Sequence, residues 1–199
     1  MKIAIAGYGV VGRGTHELLL MNRDKIAARA GEEIEVKYVL DPKPLEGTPA
    51  EQLRASGIEE ILADPEVKLL VEAIGGVGPA YEYVKAALES GRSVVTPNKQ
   101  LVAEKGAELL AIAREKNVGF LFEASVAGGT PVLHPISQCL WANDLDLAAG
   151  ILNGTTNYIL TKMVQEGAGF EETLREAQRL GYAEADPTAD IEGIDACRK

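Results

Sequence analysis

Cysteine is scarce in this chain of 199 residues, which holds only Cys139 and Cys197. Two cysteines cannot build the dense disulfide framework of a small secreted domain, and neither belongs to a CxxC pair of the kind found in zinc sites. These absences favour a protein of a reducing compartment, and we expect it in the cytoplasm.

Long apolar runs and an excess of positive charge are also absent. No run approaches the roughly 20 apolar residues that a membrane helix needs, and the apolar start of the chain stops at Gly7, too early for a signal peptide. Lys and Arg total 20 against 30 Asp and Glu, which gives a net charge of −10. Because an acidic chain repels phosphate backbones, we expect neither a membrane nor a nucleic acid as partner.

Short apolar runs alternate with helical stretches over the first part of the chain, and this alternation predicts an α/β fold with a doubly wound parallel sheet. We expect strands over residues 2–6, 34–40, 67–74, 93–96 and 119–122. We expect helices over residues 10–30, 81–88 and 99–116, with Gly31 and Gly91 as stop signals and Asn98 as an N-cap.

The pattern changes after Glu123. Residues 145–152 predict a strand, and helices follow over 156–165 and 170–180, the second burying Phe170, Leu174 and Ala177. We therefore expect a nucleotide-binding domain at 1–123 and, at 124–199, the beginning of a substrate-binding domain with its own sheet. The chain stops abruptly, directly after a dense acidic segment.

A GxGxxG turn, Gly7-Tyr8-Gly9-Val10-Val11-Gly12, lies between the first predicted strand and the first predicted helix. Gly7 allows the tight turn, Gly9 removes the side chain that would obstruct a pyrophosphate, and Gly12 permits close packing of helix and strand. The free N–H groups of the helix N-terminus would then bind phosphate. In this context the pattern indicates a dinucleotide site rather than a glycine-rich turn without a ligand.

Asp41 ends the second predicted strand, where an acidic residue commonly accepts a hydrogen bond from a ribose hydroxyl. It lies 29 residues after Gly12, beyond the usual spacing of about 20, and Lys43 is placed to meet a 2′-phosphate instead. The choice between NAD and NADP stays open, as does the alternative that Asp41 is only a turn former before Pro42.

Two further polar segments lie where ligands are expected. Lys99 follows Thr96-Pro97-Asn98 at the carboxyl edge of the fourth predicted strand, within reach of a cofactor or an anionic substrate. The alternative is a solvated lysine at a helix start.

The loop 153–157, with Asn153 and Thr155, either caps the following helix or holds a substrate carboxylate through its donors.

The final segment is rich in carboxylates, among them Glu184, Asp186, Asp190, Glu192 and Asp195. Asp195 and Lys199 are four residues apart and would share a helix face. A carboxylate beside a lysine orients the ammonium and keeps it charged until a proton is needed, and neighbouring acids would suit a substrate ammonium. A solvated acidic loop and a divalent-metal loop stay open, although the spacing does not fit an EF-hand.

Cys139 and His134 are the other reactive candidates, since a Cys with a His can perform acyl chemistry. Because Cys139 lies in the apolar, helix-like run 136–141, we expect a buried structural thiol there. We expect His134 to serve packing or the surface.

Together these segments resemble homoserine dehydrogenase, in order and over nearly the whole chain. The matching segments are GYGVVGRG, EAIGG, TPNK, EASVAGGTP, GILNGTTNYIL and GYAEADPTADIEGIDACRK, which begin at residues 7, 72, 96, 123, 150 and 181. The resemblance implies a Rossmann domain followed by part of an α+β catalytic and dimerisation domain, and a homodimer. It also implies reversible NAD- or NADP-dependent reduction of the small molecule L-aspartate 4-semialdehyde to L-homoserine, on the path to threonine, methionine and isoleucine.

The resemblance further implies roles for individual residues. Lys199 would donate the proton to the forming alkoxide with support from Asp195, and Lys99 completes the expected catalytic set. Glu184 would receive the substrate ammonium, and the expected substrate site also includes Asp190, Asp195, Asn153 and Thr155. The expected cofactor site comprises Gly7, Gly9, Val10, Val11, Gly12, Asp41, Lys43, Gly75, Gly76, Thr96 and Lys99. The family's monovalent-cation loop, whose carbonyl oxygens suit Na⁺, corresponds to Glu123, Val126, Gly128 and Thr130.

Two other functions stay open. One is nucleotide binding by this chain without turnover. The other is that of an acylating semialdehyde dehydrogenase, which would need a thiol nucleophile such as Cys139.

Overall fold

A five-stranded parallel sheet organises the N-terminal part of the chain in this computed structural model, which describes residues 1–199. The strands are β1 (Lys2–Ala6), β2 (Glu35–Leu40), β3 (Val67–Glu72), β4 (Ser93–Val95) and β5 (Phe120–Leu121). All five predicted strands are confirmed, with ends that agree to within two residues. The chain divides into two compact units, Met1–Gly128 and Gly129–Lys199.

The strand order is β2-β1-β3-β4-β5, so the chain winds to one side of β1 and then to the other. The carboxyl ends of β1 and β3 flank the point at which the winding reverses, and neighbouring β3 and β4 are paired in parallel. Ligands of open α/β sheets bind at this edge. The doubly wound α/β fold class predicted from the sequence is confirmed.

The sheet is buried on both faces, as β1 illustrates. Ala4 and Ala6 belong to one apolar cluster, whereas Ile3 and Ile5 belong to a second one. Successive strand side chains point to opposite faces, and all four of these residues are buried. Burial on both faces is what a parallel sheet between two helix layers requires.

Six helices belong to the first unit: α1 (Val10–Met21), α2 (Arg23–Ala30), α3 (Ile58–Ala63), α4 (Gly78–Glu89), α5 (Lys99–Lys116) and α6 (Ala124–Ala127). The prediction of one helix over 10–30 is wrong, because Asn22 leaves the helical conformation with a φ of −116° and separates α1 from α2. Its Nδ2 donates to the carbonyl of Leu18 at 3.1 Å. Gly31 ends α2 with a φ of +77°. The N-cap predicted for α5 is confirmed, since Asn98 Oδ1 accepts from the N–H of Leu101 at 3.1 Å.

The second unit contains the helices α7 (Gly154–Glu166), α8 (Phe170–Arg179), α9 (Thr188–Ile191) and α10 (Ile194–Cys197), preceded by a π-helical turn at Pro135–Cys139. Helices α7 and α8 bury Ile159, Thr173 and Ala177. The predicted buried face of α8 is confirmed for Ala177, whereas Phe170 is 37% exposed at the first position of the helix.

The strand predicted at 145–152 is wrong. These residues have no regular secondary structure, and Leu147 and Ile151 are 82% and 75% exposed. A strand needs a neighbouring strand to satisfy its backbone hydrogen bonds, and the second unit contains no other strand. An apolar pattern without a pairing partner therefore does not form a sheet here.

The predicted burial of Cys139 is also wrong, since its thiol is exposed. The apolar run around it is not covered by another element, and the neighbouring Trp141 is 83% exposed. His134 is exposed as well. None of the helices has the length and apolar character needed to cross a membrane.

Candidate functional site

The turn between β1 and α1 is built on three glycines with different surroundings. Gly7 has a φ of +92°, and a Cβ there would lie 2.5 Å from the backbone of Ala73. A Cβ on Gly12 would lie 1.9 Å from the carbonyl oxygen of Gly7, whereas one on Gly9 would have nothing within 4 Å. The first and third glycines are therefore required by the fold itself, and Gly9 keeps the space beside the helix open.

The N-terminus of α1 faces this open space. Gly9 is the N-cap and supplies no side-chain acceptor to the first turn, while Val10 and Val11 are 92% and 52% exposed. Unpaired N–H groups at the positive end of a helix dipole bind phosphate. The glycine turn therefore fits the pyrophosphate of a dinucleotide.

Asp41 directly follows β2 and joins two loops at the sheet edge. Its Oδ2 accepts from the N–H of Tyr8 at 2.5 Å, and its Oδ1 accepts from the N–H of Lys43 at 2.8 Å. Asp41 thus ties the glycine turn to the loop after β2. Both carboxylate oxygens already accept backbone hydrogen bonds, which makes Asp41 more than the simple turn former that the sequence left open.

A cleft of about 810 Å³ opens beside the glycine turn. Its lining includes the predicted Gly7, Gly9, Asp41 and Lys43, together with Arg13 and Arg54. The guanidinium of Arg54 donates to the backbone carbonyl of Asp41 at 3.4 Å. Arg54 was not predicted from the sequence, where it lies in a polar connection without regular pattern.

Tyr8 and His16 form a buried pair behind the glycine turn. The Tyr8 hydroxyl lies 2.8 Å from His16 Nδ1, and His16 is only 3% exposed. Burial lowers the pKa of His16 and raises the pKa of Tyr8, because it disfavours the charged form of each group. The pair joins the turn to α1. In the sequence its only signal is the eight-residue spacing of the two polar side chains.

The carboxyl ends of β3 and β4 bring together the predicted residues Gly75, Gly76, Thr96 and Lys99. Gly75 and Gly76 have φ values of +83° and +68°. The Nδ2 of Asn98 donates to the carbonyl of Gly76 at 2.6 Å, and the N–H of Asn98 donates to Thr96 Oγ1 at 3.0 Å. The loops after the two strands are therefore connected, and Lys99 begins α5 beside them.

A polar cluster in the second unit is centred on Asn153. Its Nδ2 donates to Asp190 Oδ1 at 2.7 Å and to Asp195 Oδ2 at 2.9 Å. Its Oδ1 accepts from the N–H of Thr156 at 2.7 Å and so caps α7. Of the two roles left open for this loop, capping is thus observed, and the amide is committed to two of the predicted substrate-site carboxylates.

Lys199 joins the same cluster. Its Nζ lies 3.2 Å from Asp195 Oδ2 and donates to the carbonyl of Leu152 at 2.6 Å. Asp195 is 7% exposed, and the Lys199 side chain is 19% exposed. The contact expected from their four-residue spacing is observed, with Asp195 in α10 and Lys199 two residues beyond the end of that helix.

The remaining predicted substrate residues lie at different places in this unit. Thr155 is buried and donates from Oγ1 to the carbonyl of Tyr182 at 2.7 Å. Glu184 is exposed, and its backbone carbonyl accepts from Gln178 Nε2 at 3.1 Å. No group of three or more His, Cys, Asp and Glu side chains is arranged to hold a metal.

The predicted cation loop surrounds α6. Glu123 precedes this helix, Val126 lies within it, and Gly128 follows it with a φ of +58°. Carbonyls at the C-terminal end of a helix lack intrahelical partners and favour a cation. Thr130 belongs to the second unit.

Comparison with known proteins places these features in a family. The family model described as homoserine dehydrogenase, NAD binding domain, matches residues 7–123, and the model described as homoserine dehydrogenase matches residues 131–199. The chain belongs to the homoserine dehydrogenase family. The family resemblance stated from the sequence is therefore confirmed.

Individual relatives agree with this assignment. Homoserine dehydrogenase of Pseudomonas aeruginosa is 48% identical over all of this chain and 46% of its own length. A crystal structure of the enzyme from Thiobacillus denitrificans is 45% identical with a TM-score of 0.91, over all of this chain and 47% of that one. A hyperthermophilic archaeal homoserine dehydrogenase in complex with NADPH is 30% identical with a TM-score of 0.81, over all of this chain and 67% of that one. The chain spans about half the length of the curated relatives it matches.

Proposed function

We propose that this chain carries the cofactor site and the proton-donating lysine of a homoserine dehydrogenase, which interconverts L-homoserine and L-aspartate 4-semialdehyde. The observation that carries the proposal is the placement of the Lys199 ammonium, 3.2 Å from the buried Asp195 carboxylate and 2.6 Å from the Leu152 carbonyl. Two oxygen acceptors hold the ammonium in one position while leaving a third proton for a substrate oxygen.

The nicotinamide cofactor, when bound, supplies or accepts the hydride. During reduction of the aldehyde, negative charge develops on the carbonyl oxygen. Lys199 stabilises this charge and donates the proton, and the Asp195 carboxylate orients the ammonium. Glu184 and Asp190 are proposed to bind the substrate ammonium, with Asn153 and Thr155 shaping the site.

NADP(H) is the cofactor that the cleft favours. The cleft is lined by Arg13, Lys43 and Arg54 against one acid, Asp41, whose carboxylate oxygens both accept backbone N–H groups. Neighbouring guanidinium and ammonium groups stabilise a bound 2′-phosphate through charge-assisted hydrogen bonds. Thr96, Gly75, Gly76 and Lys99 are proposed to lie along the nicotinamide half.

Four further properties belong to this proposal. The reaction serves the synthesis of threonine, methionine and isoleucine in the cytoplasm. The active form is a homodimer, joined through the catalytic domain. A Na⁺ ion bound by carbonyls of the loop at Glu123, Val126, Gly128 and Thr130 has a structural role. The proposed domain boundary is the one expected from the sequence, between 1–123 and 124–199, close to the division after Gly128 between the two compact units.

The test is homoserine-dependent reduction of NADP and of NAD by this chain, followed by the absorbance of the reduced cofactor. We expect faster reduction of NADP, and loss of turnover in K199A with cofactor binding retained. Undiminished turnover of K199A would contradict the role given to the lysine. In C139S turnover should be unchanged, whereas an acylating thiol mechanism requires its loss.

Nucleotide binding without turnover is the second candidate. The observation in its favour is that the chain spans only 46% and 47% of the curated relatives from Pseudomonas aeruginosa and Bacillus subtilis. Tight binding of NADPH in a titration, together with the absence of homoserine-dependent reduction, would select it.

A further inference from the structure

Glu72 is a fully buried carboxylate that the proposed chemistry does not use. It is the last residue of β3 and has 0% exposure. Its Oε1 accepts from the N–H groups of Ile74 at 2.7 Å and Gly75 at 3.1 Å, and its Oε2 accepts from the Thr96 hydroxyl. Burial of a carboxylate is costly unless hydrogen bonds compensate, so three converging donors explain how this position tolerates the charge.

These hydrogen bonds belong to a closed ring between two loops. From Glu72 the ring passes to the N–H groups of Ile74 and Gly75 in the loop after β3, then along the backbone to Gly76. The Gly76 carbonyl accepts from Asn98, whose N–H donates to Thr96, and the Thr96 hydroxyl returns to Glu72. The ring fixes the loops after β3 and β4 relative to each other.

The ring lies on one particular side of the nucleotide site. Most of the lining of the cleft with Asp41 and Lys43 lies on the β1–β2 side of the reversal point. Ala73 and Ile74, at the start of the loop after β3, also line it, whereas Gly75, Gly76 and the loop after β4 do not. In doubly wound folds a dinucleotide binds across that point, with one half on each side. Gly75, Gly76 and the loop after β4 therefore face the half of the dinucleotide opposite the adenosine side.

We infer that Glu72 is a positioning residue, which holds the loops after β3 and β4 in the shape that receives the nicotinamide half of the cofactor. The inference rests on the proposed function, which identifies the ligand as a nicotinamide dinucleotide. Glu72 itself does not contact the cofactor, because its side chain is buried behind the two loops.

The test compares two probes on the whole chain: NADPH, which spans both halves of the site, and adenosine 2′,5′-bisphosphate, which lacks the nicotinamide half. In E72A the N–H groups of Ile74 and Gly75 and the Thr96 hydroxyl lose their acceptor. We expect NADPH affinity to fall at least about tenfold, with adenosine 2′,5′-bisphosphate bound as tightly as before.

A conservative variant and a matched control accompany the E72A experiment. E72Q keeps an oxygen for the two N–H groups and loses the charge. We expect its NADPH affinity to fall about fivefold, to a value between those of the unaltered chain and E72A. If E72A does not fold, this partial loss confined to NADPH is the deciding result. E108A removes a glutamate that accepts from Tyr81 and Lys85 away from the sheet edge, and we expect it to bind both probes normally.

Three results would overturn the inference. Equal weakening of both probes in the Glu72 variants would show a general structural role, and unchanged NADPH affinity in E72A and E72Q would show that the ring is not needed. If the unaltered chain bound neither probe, the proposed function itself would fail, and the inference with it.

Discussion

The side-chain nitrogen of Asn153 lies 2.9 Å from Asp195 Oδ2, the carboxylate oxygen that also pairs with Lys199. Because the other end of the same amide caps α7, one side chain connects the start of a helix to the proposed proton donor. A change at Asn153 should therefore affect the lysine without any direct contact to it.

N153D separates the two roles of this residue. Aspartate caps a helix as well as asparagine does, but here it brings a third carboxylate against Asp190 and Asp195. We expect the free energy of unfolding to fall by about 1–3 kcal/mol at pH 7, and turnover to fall as Asp195 and Lys199 lose their alignment. Urea unfolding at pH 7 and pH 4 measures this, and the deficit should shrink at pH 4 as the added carboxylate begins to bind a proton.

The matched control is N157D, at an exposed position in the first half of the same helix. A negative charge near a helix N-terminus is neutral to mildly stabilising, so this variant should unfold like the unaltered chain. Equal losses in N153D and N157D would argue against the amide bridge.

The glycines of the turn should separate folding from binding. In G9A the new Cβ meets no atom within 4 Å, so the chain should fold with a loss below about 1 kcal/mol from the weaker N-cap. NADPH affinity should fall at least about tenfold, because the methyl group enters the space left for the pyrophosphate. Thermal unfolding and fluorescence titration measure the two effects.

G12A is the counterpart, since its Cβ would lie 1.9 Å from the Gly7 carbonyl. We expect a loss of more than about 3 kcal/mol in the free energy of unfolding, or no folded protein at all. A stable G12A, or a G9A that binds NADPH normally, would contradict the roles assigned to these glycines.

The parts of the fold that could be predicted from the sequence depend on local patterns. The strands of the sheet are short apolar runs bounded by turn residues, and the Asn98 cap precedes an apolar helical period, so neighbouring residues carry the information. The prediction at 145–152 was wrong because pairing with another strand is not a local property. The break at Asn22 was missed because it lies in the backbone conformation of one residue, which the apolar period of the helix does not indicate.

In the candidate site, too, local patterns could be predicted and long-range contacts could not. The glycine turn and the Asp195–Lys199 pair follow from short spacings and were predicted. Glu72 and Thr96 are 24 residues apart, and Asn153 and Asp195 are 42 apart. Such long-range side-chain pairs have no signature in the spacing of a single sequence, and only the folded chain brings them together.

R54A should discriminate between the two cofactors. Its guanidinium lines the cleft and is held over the loop after β2 by the Asp41 carbonyl. If it meets a 2′-phosphate, NADPH affinity should fall about tenfold, while NADH affinity should change less than about twofold. R29A, in the exposed last turn of α2, should change neither. Equal losses for the two cofactors in R54A would contradict the proposed preference for NADP(H).

Asp64 should give the first unit a stability that depends on pH in the acid range. Its carboxylate lies 2.5 Å from Lys37 Nζ and accepts from the N–H of Glu66 at 2.9 Å and the Tyr38 hydroxyl at 3.1 Å. These groups, Lys37 foremost, lower the pKa of Asp64 from 3.8 to about 2. A carboxyl group with a lowered pKa in the folded state stabilises the fold above its ordinary pKa, and the contribution is lost as pH falls from about 4 to 2.

D64N and K37M test this relationship from both partners. The difference in the free energy of unfolding between the unaltered chain and D64N should be constant above pH 5 and should shrink between pH 4 and pH 2. In K37M the pKa of Asp64 should rise toward its ordinary value because its main cause is removed, so this variant should lose less stability on acidification below pH 4. Urea unfolding at half-unit steps from pH 6 to pH 2.5 provides the measurement. A D64N difference that stays constant over the whole range would show that the Lys37–Asp64 contact does not lower the pKa of Asp64 in solution and adds no stability that depends on pH.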